Sequence, residues 1–215
     1  MGNVIEFRNI TKYFPGVKAL DDISFTANGG EVLALMGENG AGKSTLLKVL
    51  NGDYQQTSGE YLVNGEPCHF NSPREAVAAG IGVIYQERQI MLELTVGENI
   101  FLGRLPTGFM GRIKMREVHS RAQAIIDEFG LDMKSTDKVK DLSVAYQQMV
   151  EIMKAYSREN LKMIAFDEPT ASLSDSEIDS LFRIIRKLKA EGKVIIYVSH
   201  RMAETVSYTH LTLPT

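Results

Sequence analysis

The sequence predicts an α/β protein built around a parallel β-sheet, and three observations support this prediction. Short, unbroken apolar runs recur along the chain, as in strands that are buried on both faces. Stretches of helical periodicity separate these runs, and one glycine-rich loop joins an apolar run to a helix. With 215 residues, of which 44% are apolar, the chain suits one ordinary domain with a buried core.

The composition excludes several classes of protein. An apolar fraction of 44% is too high for a disordered or collagen-like chain. A single cysteine, Cys68, cannot form an internal disulfide and favours a reducing compartment. A formal net charge of −3 argues against a nucleic-acid partner bound through bulk charge. No apolar run approaches the roughly 20 residues that span a bilayer, so we expect a soluble, cytosolic chain.

The strands are predicted in chain order. Val4–Phe7 and Ile23–Phe25 lie among turn residues and predict an antiparallel sheet that precedes the parallel core. The parallel strands are predicted at four apolar runs, which are Val32–Met36, Ile81–Tyr85, Met163–Phe166 and Val194–Val198.

Helical periodicity dominates the middle of the chain, between residues 95 and 159. Its clearest helix carries apolar residues from Val118 to Phe129 and is predicted to end at Gly130. Further on, Ser174 and Glu177 predict a capping box at the start of another helix. That helix is expected to stop before a strand, which is the alternation of an α/β domain.

A glycine-rich segment matches the pattern of a phosphate-binding loop. It consists of Gly37, Glu38, Asn39, Gly40, Ala41, Gly42, Lys43 and Ser44. Glycines allow successive backbone amides to face a polyphosphate, and the helix predicted from Thr45 adds its positive N-terminal end. In this pattern Lys43 reaches the β- and γ-phosphates, and the Ser44 hydroxyl binds Mg²⁺. The loop therefore predicts nucleotide binding.

Polar residues follow three of the predicted strands. Asp167 ends an apolar strand, and we expect it to orient Mg²⁺ through water. Glu168 would then position or deprotonate the attacking water. Gln86 and His200 each follow another strand, and by themselves both are equally compatible with structural roles. They gain meaning only as members of the set.

Taken in order, these motifs resemble those of ABC-transporter ATPases. They are Gly37–Thr45, Gln86, Leu142-Ser143, Asp167–Thr170, Ser172–Asp175 and His200. The resemblance covers about residues 3 to 205. It implies a RecA-like P-loop core, an antiparallel β subdomain and an inserted helical subdomain. Three segments are similar in sequence to the first of two ATPase halves in bacterial monosaccharide importers of the ribose, galactose and xylose type. They are Phe14–Leu20, Gly80–Glu87 and Gln147–Ile152.

The resemblance implies roles for individual residues. Phe14 would stack on adenine, although its neighbour Tyr13 could serve instead. Gln86 would contact Mg²⁺ and the attacking water, Glu168 would be the catalytic base, and His200 would contact the γ-phosphate. The phosphates and Mg²⁺ of ATP would be held by Gly40, Gly42, Lys43, Ser44 and Thr45.

One motif departs from the family. The usual Leu-Ser-Gly-Gly-Gln signature is replaced by Leu142, Ser143, Val144, Ala145 and Tyr146, which precede Gln147. We expect the two lost glycines to matter, because Cβ atoms obstruct a close backbone approach and restrict φ. Ser143 and the backbone amides remain. The resemblance implies an asymmetric pair of ATP sites. The site that is completed by the signature of this half would bind ATP but hydrolyse it poorly.

Three hypotheses share these motifs. The first is a transport motor, an ATP hydrolase paired with a second ATPase half. It would drive permease subunits at the cytoplasmic face of the bacterial plasma membrane and serve an extracytoplasmic sugar-binding protein. The second is a soluble ABC-type ATPase acting on nucleic acid or ribosomes. The net charge and the importer-like sequence segments argue against it. The third is a silent ATP-binding module. The intact Lys43, Asp167, Glu168 and His200 argue against it.

The domain organisation follows from the same resemblance. We expect the core and β subdomain at residues 1–94 and 160–205, and the helical subdomain at 95–159. The family continues beyond this point with a helix and strands, so we expect a domain that is incomplete at its C-terminus. Residues 206–215 carry no charged side chain and match a reading frame of a sequencing adapter, which predicts a non-native tail.

Overall fold

The structure is a computed structural model that describes residues 2–38, 40–170, 173–199 and 210–212. It divides into two compact units. The first comprises Met1–Gln86, Asn160–Pro169 and Ile185–Thr215, and the second comprises Glu87–Glu159 and Thr170–Ile184. The second unit therefore contains residues 87–94 and 170–184 in addition to those of the predicted helical subdomain.

The elements of the described residues alternate between strands and helices. In chain order the strands are β1 (Val4–Phe14), β2 (Val17–Asn28), β3 (Val32–Met36), β4 (Ser58–Val63), β5 (Glu66–Cys68), β6 (Ile81–Ile84), β7 (Met163–Asp167), β8 (Val194–Ser199) and β9 (His210–Thr212). The helices are α1 (Lys43–Leu50), α2 (Pro73–Ala79), α3 (Val96–Ile100), α4 (Met115–Glu128), α5 (Val144–Tyr156) and α6 (Asp175–Ala190).

An antiparallel sheet in the first unit has the strand order β2-β1-β4-β5. The predicted pairing near the start of the chain is confirmed, and both strands are longer than predicted. Strands β4 and β5 were not predicted. The turn between them is Asn64-Gly65, whose φ angles of 56° and 83° suit a two-residue hairpin turn. An Asn-Gly pair at the end of an apolar run was the signal that could have found this hairpin.

A parallel sheet in the same unit has the strand order β6-β7-β8-β3-β9. All four predicted runs are strands of this sheet, which confirms the α/β class. Every residue of β7 and β8 is buried, as expected for strands covered on both faces. The three residues His210–Thr212 add an edge strand beside β3. The other residues of the predicted tail lie outside those described, and its origin stays a prediction that the nucleotide sequence tests.

A hydrophobic cluster of described residues lies in the first unit. It joins residues of the antiparallel sheet, such as Phe7, to residues of α1, such as Leu47, and to the inner strands of the parallel sheet, such as Val198. Because α1 buries Leu46, Leu47 and Leu50 in this cluster, its N-terminus is fixed at the end of β3.

The second unit is mainly helical. Helix α4 buries Val118, Ala122 and Ile126, which lie one turn apart on one face and confirm the predicted periodicity. The chain leaves this helix through Gly130, at a φ of 62°. Short 3₁₀ turns at Phe109–Gly111 and Val139–Asp141 connect the longer helices. Within the described ranges, no helix is long and apolar enough to cross a membrane.

Candidate functional site

The predicted site residues of the core lie where parallel strands end. Strand β6 pairs with β7, β7 with β8, and β8 with β3, all in parallel register. Since carboxyl ends of parallel strands meet at one edge, Gln86, Glu168 and Gly37 follow their strands at the same edge. His200 follows β8 in sequence and lies outside the described residues. Asn39 and Ser172 lie outside them as well.

The glycine-rich loop forms a tight turn between β3 and α1. The backbone N–H of Ala41 donates to the carbonyl oxygen of Glu38 at 3.1 Å. Gly40 and Gly42 have φ angles of 91° and 86°, which residues with a Cβ rarely adopt. Two of the predicted glycines, Gly40 and Gly42, therefore stand where the backbone requires them.

Gly42 is also a point of close approach. A Cβ at this position would lie 2.3 Å from the carbonyl oxygen of Ala19 and 2.9 Å from a methyl carbon of Leu20, both in β2. Gly42 directly precedes α1, and no side chain caps the amides of the first turn. An uncapped helix N-terminus favours an anion, because its amides are donors and the helix dipole is positive there.

Lys43 is held over the same loop. Its Nζ donates to the carbonyl oxygens of Gly37 at 2.6 Å and of Glu38 at 2.8 Å. The side chain is only 6% exposed, so the ammonium group is fixed in place. A phosphate oxygen would offer it a full negative charge in place of two neutral carbonyl groups.

Asp167 ends β7 beside the first turn of α1. Burial raises the pKa of its carboxyl, and the charge of Glu168 raises it further. A hydrogen bond from Ser44 and the positive charges of Lys43 and Lys48 oppose this shift in the pKa. The Ser44 hydroxyl and the Asp167 carboxylate are thus neighbours, and both are oxygen ligands of the kind that Mg²⁺ prefers.

Glu168 has an unusual backbone conformation. Its φ is 49°, in the left-handed region that non-glycine residues seldom occupy. The backbone N–H donates to the carbonyl oxygen of Val198 in β8 at 3.0 Å, which holds this conformation. Strained backbone of this kind is concentrated at functional sites. The half-buried Glu168 directly follows Asp167 at the sheet edge.

A tyrosine beside Gln86 belongs to a contact that sequence reasoning missed. The Tyr85 hydroxyl donates to Oδ2 of Asp53 at 2.5 Å, and Nδ2 of Asn51 donates to the same oxygen at 2.7 Å. Burial raises the pKa of Tyr85 well above its usual value, so the hydroxyl keeps its proton. The contact fixes the residue before the exposed Gln86. No local pattern signals it, because its partners lie 32 residues apart.

Two aromatic residues were candidates for stacking on adenine. The Phe14 ring packs edge-on against Tyr54 at a centroid distance of 5.2 Å, and Lys12 lies over it at 5.0 Å. Tyr13 is 49% exposed, with Lys18 at 5.5 Å from its ring. Phe14 is therefore the more closely packed of the two rings.

The degenerate signature motif forms the start of α5. Ser143 is the N-cap residue, and its hydroxyl accepts from the backbone N–H of Tyr146 at 3.4 Å. Gln147 donates from Nε2 to the carbonyl oxygens of Val139 and Leu142, both at 3.1 Å. These bonds fix the turn that leads into the helix.

One expectation about this motif is wrong. Val144 and Ala145, which stand in place of the two glycines, were expected to be restricted in φ. Both are part of helix α5, and neither has a positive φ. Residues with a Cβ adopt this conformation without strain. The replacement of the two glycines therefore changes the motif only through the side chains that it adds. Val144 is 40% exposed, whereas Ala145 is 2% exposed.

Ser143 also takes part in a contact between distant segments. Its hydroxyl donates to Oε1 of Glu177 at 3.1 Å. Oε2 of Glu177 accepts from the backbone N–H of Ser174 at 2.9 Å and from its hydroxyl at 2.8 Å. These bonds lower the pKa of Glu177, the backbone bond of Ser174 most. The pairing of Ser174 with Glu177 was predicted, and the link to Ser143 was not.

Comparisons with known proteins place the chain. Residues 20–171 match the family described as ABC transporter. The arabinose import ATP-binding protein of Yersinia pestis is 53% identical over 200 residues, which are 93% of this chain and 38% of that protein. Its namesake in Burkholderia ambifaria is 50% identical over 204 residues, which are 95% of this chain and 40% of that protein. The chain therefore spans about two fifths of the length of these relatives.

Solved structures agree with the sequence matches. The ADP conformation of an ATP-binding cassette from an ABC transporter superposes with a TM-score of 0.83 at 27% identity, covering 99% of this chain and 88% of that one. A nucleotide-free cassette superposes with a TM-score of 0.83 at 27% identity, covering 98% of this chain and 87% of that one. The fold is that of an ATP-binding cassette, and the chain belongs to the ABC transporter family.

Proposed function

We propose that this chain is the N-terminal ATP-binding half of an importer ATPase, which binds and hydrolyses ATP to power monosaccharide uptake through a membrane permease. The observation that carries the proposal is the phosphate loop, with Lys43 and the uncapped start of α1 beside the carboxylates that end β7. The arabinose importers that match most of the chain support the sugar class.

In this proposal the loop binds the β- and γ-phosphates of ATP. The positive φ of Gly40 and Gly42 turns the backbone so that amides face one side. Lys43 exchanges its two carbonyl contacts for phosphate oxygens. Phe14 stacks on the adenine ring, supported by the edge contact with Tyr54.

The residues present fit a magnesium ion. Ser44 and Asp167 offer neighbouring oxygen ligands, and the described residues hold no group of three His, Cys, Asp or Glu side chains that could bind a metal ion. Such a partial set suits Mg²⁺, which takes its other ligands from phosphates and water. When bound, the ion neutralises charge on the phosphate oxygens. Asp167 would hold it through water, with Ser44 and Gln86 as further ligands.

Hydrolysis is assigned to Glu168 as the base. The left-handed backbone and the bond to Val198 fix its position relative to the end of β7. From there the carboxylate would orient a water molecule for in-line attack and accept its proton. Gln86 and His200 would contact the water and the γ-phosphate.

Turnover in this proposal requires a second ATPase half. Its signature motif would complete the site of this chain, whereas Ser143 and the first amides of α5 would complete the other site. The side chains of Val144 and Tyr146 would weaken hydrolysis there.

The core with its β subdomain would comprise residues 1–94 and 160–205, and the helical subdomain would comprise residues 95–159. The assembly would lie at the cytoplasmic face of the bacterial plasma membrane, with permease subunits and a sugar-binding protein as partners.

Glu168→Gln tests the assignment of the base. In this chain the variant should bind ATP as tightly as the unchanged protein, because glutamine keeps the shape of the side chain. Joined to a second half, it should lose hydrolysis. Asp179→Asn, an exposed acid on α6, is the control and should change neither measurement. Undiminished hydrolysis by the Glu168→Gln protein would overturn the assignment.

A further inference from the structure

The main chain of Gln89 is held on both sides by one helix. Oε1 of Glu151 accepts a hydrogen bond from the backbone N–H of Gln89. Nζ of Lys154 donates to the carbonyl oxygen of the same residue at 3.2 Å. Glu151 and Lys154 are three positions apart on α5, so they project from one face of the helix. Together they form a two-point clamp, the Glu151–Lys154 clamp.

Glu151 is a buried carboxyl group, and its burial costs free energy of desolvation. Glu151 is 6% exposed, and its Oε2 has no hydrogen-bond partner among the described residues. Burial raises the pKa of its carboxyl, and the Gln89 N–H, Lys154 and Arg88 oppose the rise. An apolar side chain would pack here without this penalty. The carboxylate contributes what an apolar residue cannot, a directed bond to Gln89.

The position of Gln89 gives the clamp a role. It lies three residues after Gln86, in the segment that leaves β6. Helix α5, which carries the clamp, begins at Val144, directly after its N-cap residue Ser143 of the signature motif. The clamp therefore connects the segment behind one proposed nucleotide contact to the helix that presents another.

We propose that Glu151, together with Lys154, is a positioning residue that ties the segment after Gln86 to helix α5, so that the two respond to nucleotide together. This inference rests on the proposed function, because it takes Gln86 and Ser143 as nucleotide contacts. Glu151 itself is not among the proposed nucleotide contacts, and it acts through its bond to the Gln89 N–H.

The test is amide hydrogen exchange in this chain, with and without MgATP. Glu151→Gln removes the charge and sets an amide group where Oε2 lacks a partner. The Gln89 amide should exchange about tenfold faster in the variant, as expected when a bond to a charged acceptor is replaced by a weaker bond to a neutral amide oxygen. MgATP should alter exchange in α5 of the unchanged chain and not of the variant. The dissociation constant for ATP should change less than about twofold.

A matched control lies in the same segment. Glu93→Gln removes a carboxylate that is 79% exposed and pairs with Lys140 at 2.9 Å. It should leave the exchange of Gln89 and the response of α5 unchanged. If Glu151→Gln fails to fold, Lys154→Met loosens only the carbonyl contact and should reduce the response of α5 in the same direction.

The outcomes separate the two proposals. Unchanged Gln89 exchange in a folded Glu151→Gln chain would overturn the clamp, whatever ATP does. A variant that binds ATP and keeps the full response of α5 would overturn the coupling. An unchanged chain that binds no ATP would overturn the proposed function instead, and the exchange of Gln89 would still decide whether the clamp exists.

Discussion

Replacing Gly42 by alanine should destabilise the protein more than the same change at Gly40. Both residues have left-handed φ angles, 86° and 91°, so each change carries a conformational cost of about 1–2 kcal/mol. At Gly42 the new Cβ also meets the Ala19 carbonyl oxygen at 2.3 Å. Overpacking of this kind costs about 1–3 kcal/mol. The expected losses are therefore about 2–5 kcal/mol for Gly42→Ala and about 1–2 kcal/mol for Gly40→Ala.

Gly40→Ala is a suitable control because no described atom lies within 4 Å of its added Cβ. The assay is urea unfolding followed by circular dichroism, with thermal unfolding as a second measure. In a chain of this size the midpoint should fall by about 4–20 °C for Gly42→Ala and about 2–8 °C for Gly40→Ala. Equal losses, or a smaller loss at Gly42, would refute the close approach between the phosphate loop and β2.

Three further predictions concern single side chains. Burial raises the pKa of Asp167, so the folded carboxyl binds more protons than the unfolded one. Its contribution to the free energy of unfolding is therefore lost as pH rises from about 4 through the raised pKa. Urea unfolding across this window should therefore show Asp167→Asn gaining stability relative to the unchanged chain, and a constant difference would contradict the shift. Phe14→Ala should weaken ATP binding roughly five- to hundredfold and leave triphosphate binding unchanged, as titration calorimetry can measure. A larger effect of Tyr13→Ala would reverse the assignment. Val144→Gly should lower the free energy of unfolding by up to about 1 kcal/mol, because the residue is helical, and a stabilised variant would contradict that.

Much of the core could be predicted because its signals are local. Unbroken apolar runs identified β3 and β6–β8, since strands buried on both faces lack alternation. The phosphate loop was recognisable because Gly40 and Gly42 are needed where the backbone has a positive φ. The antiparallel sheet was predicted only in part, although Asn64-Gly65 marks the hairpin that was missed.

The contacts that were not predicted depend on tertiary structure. The hydrogen bonds from Tyr85 to Asp53 and from Ser143 to Glu177 form only when strands and helices have packed. The expected restriction of φ at Val144 and Ala145 failed because both residues have an ordinary helical conformation in the first turn of α5.

The most direct test of the proposed function is titration of this chain with MgATP by calorimetry, beside Lys43→Ala. We expect saturable binding of one ATP per chain and at least about tenfold weaker binding by Lys43→Ala, because a charge-assisted contact to phosphate is lost. A chain that binds no ATP, or a variant that binds it equally well, would contradict the central claim that the loop between β3 and α1 is a nucleotide site.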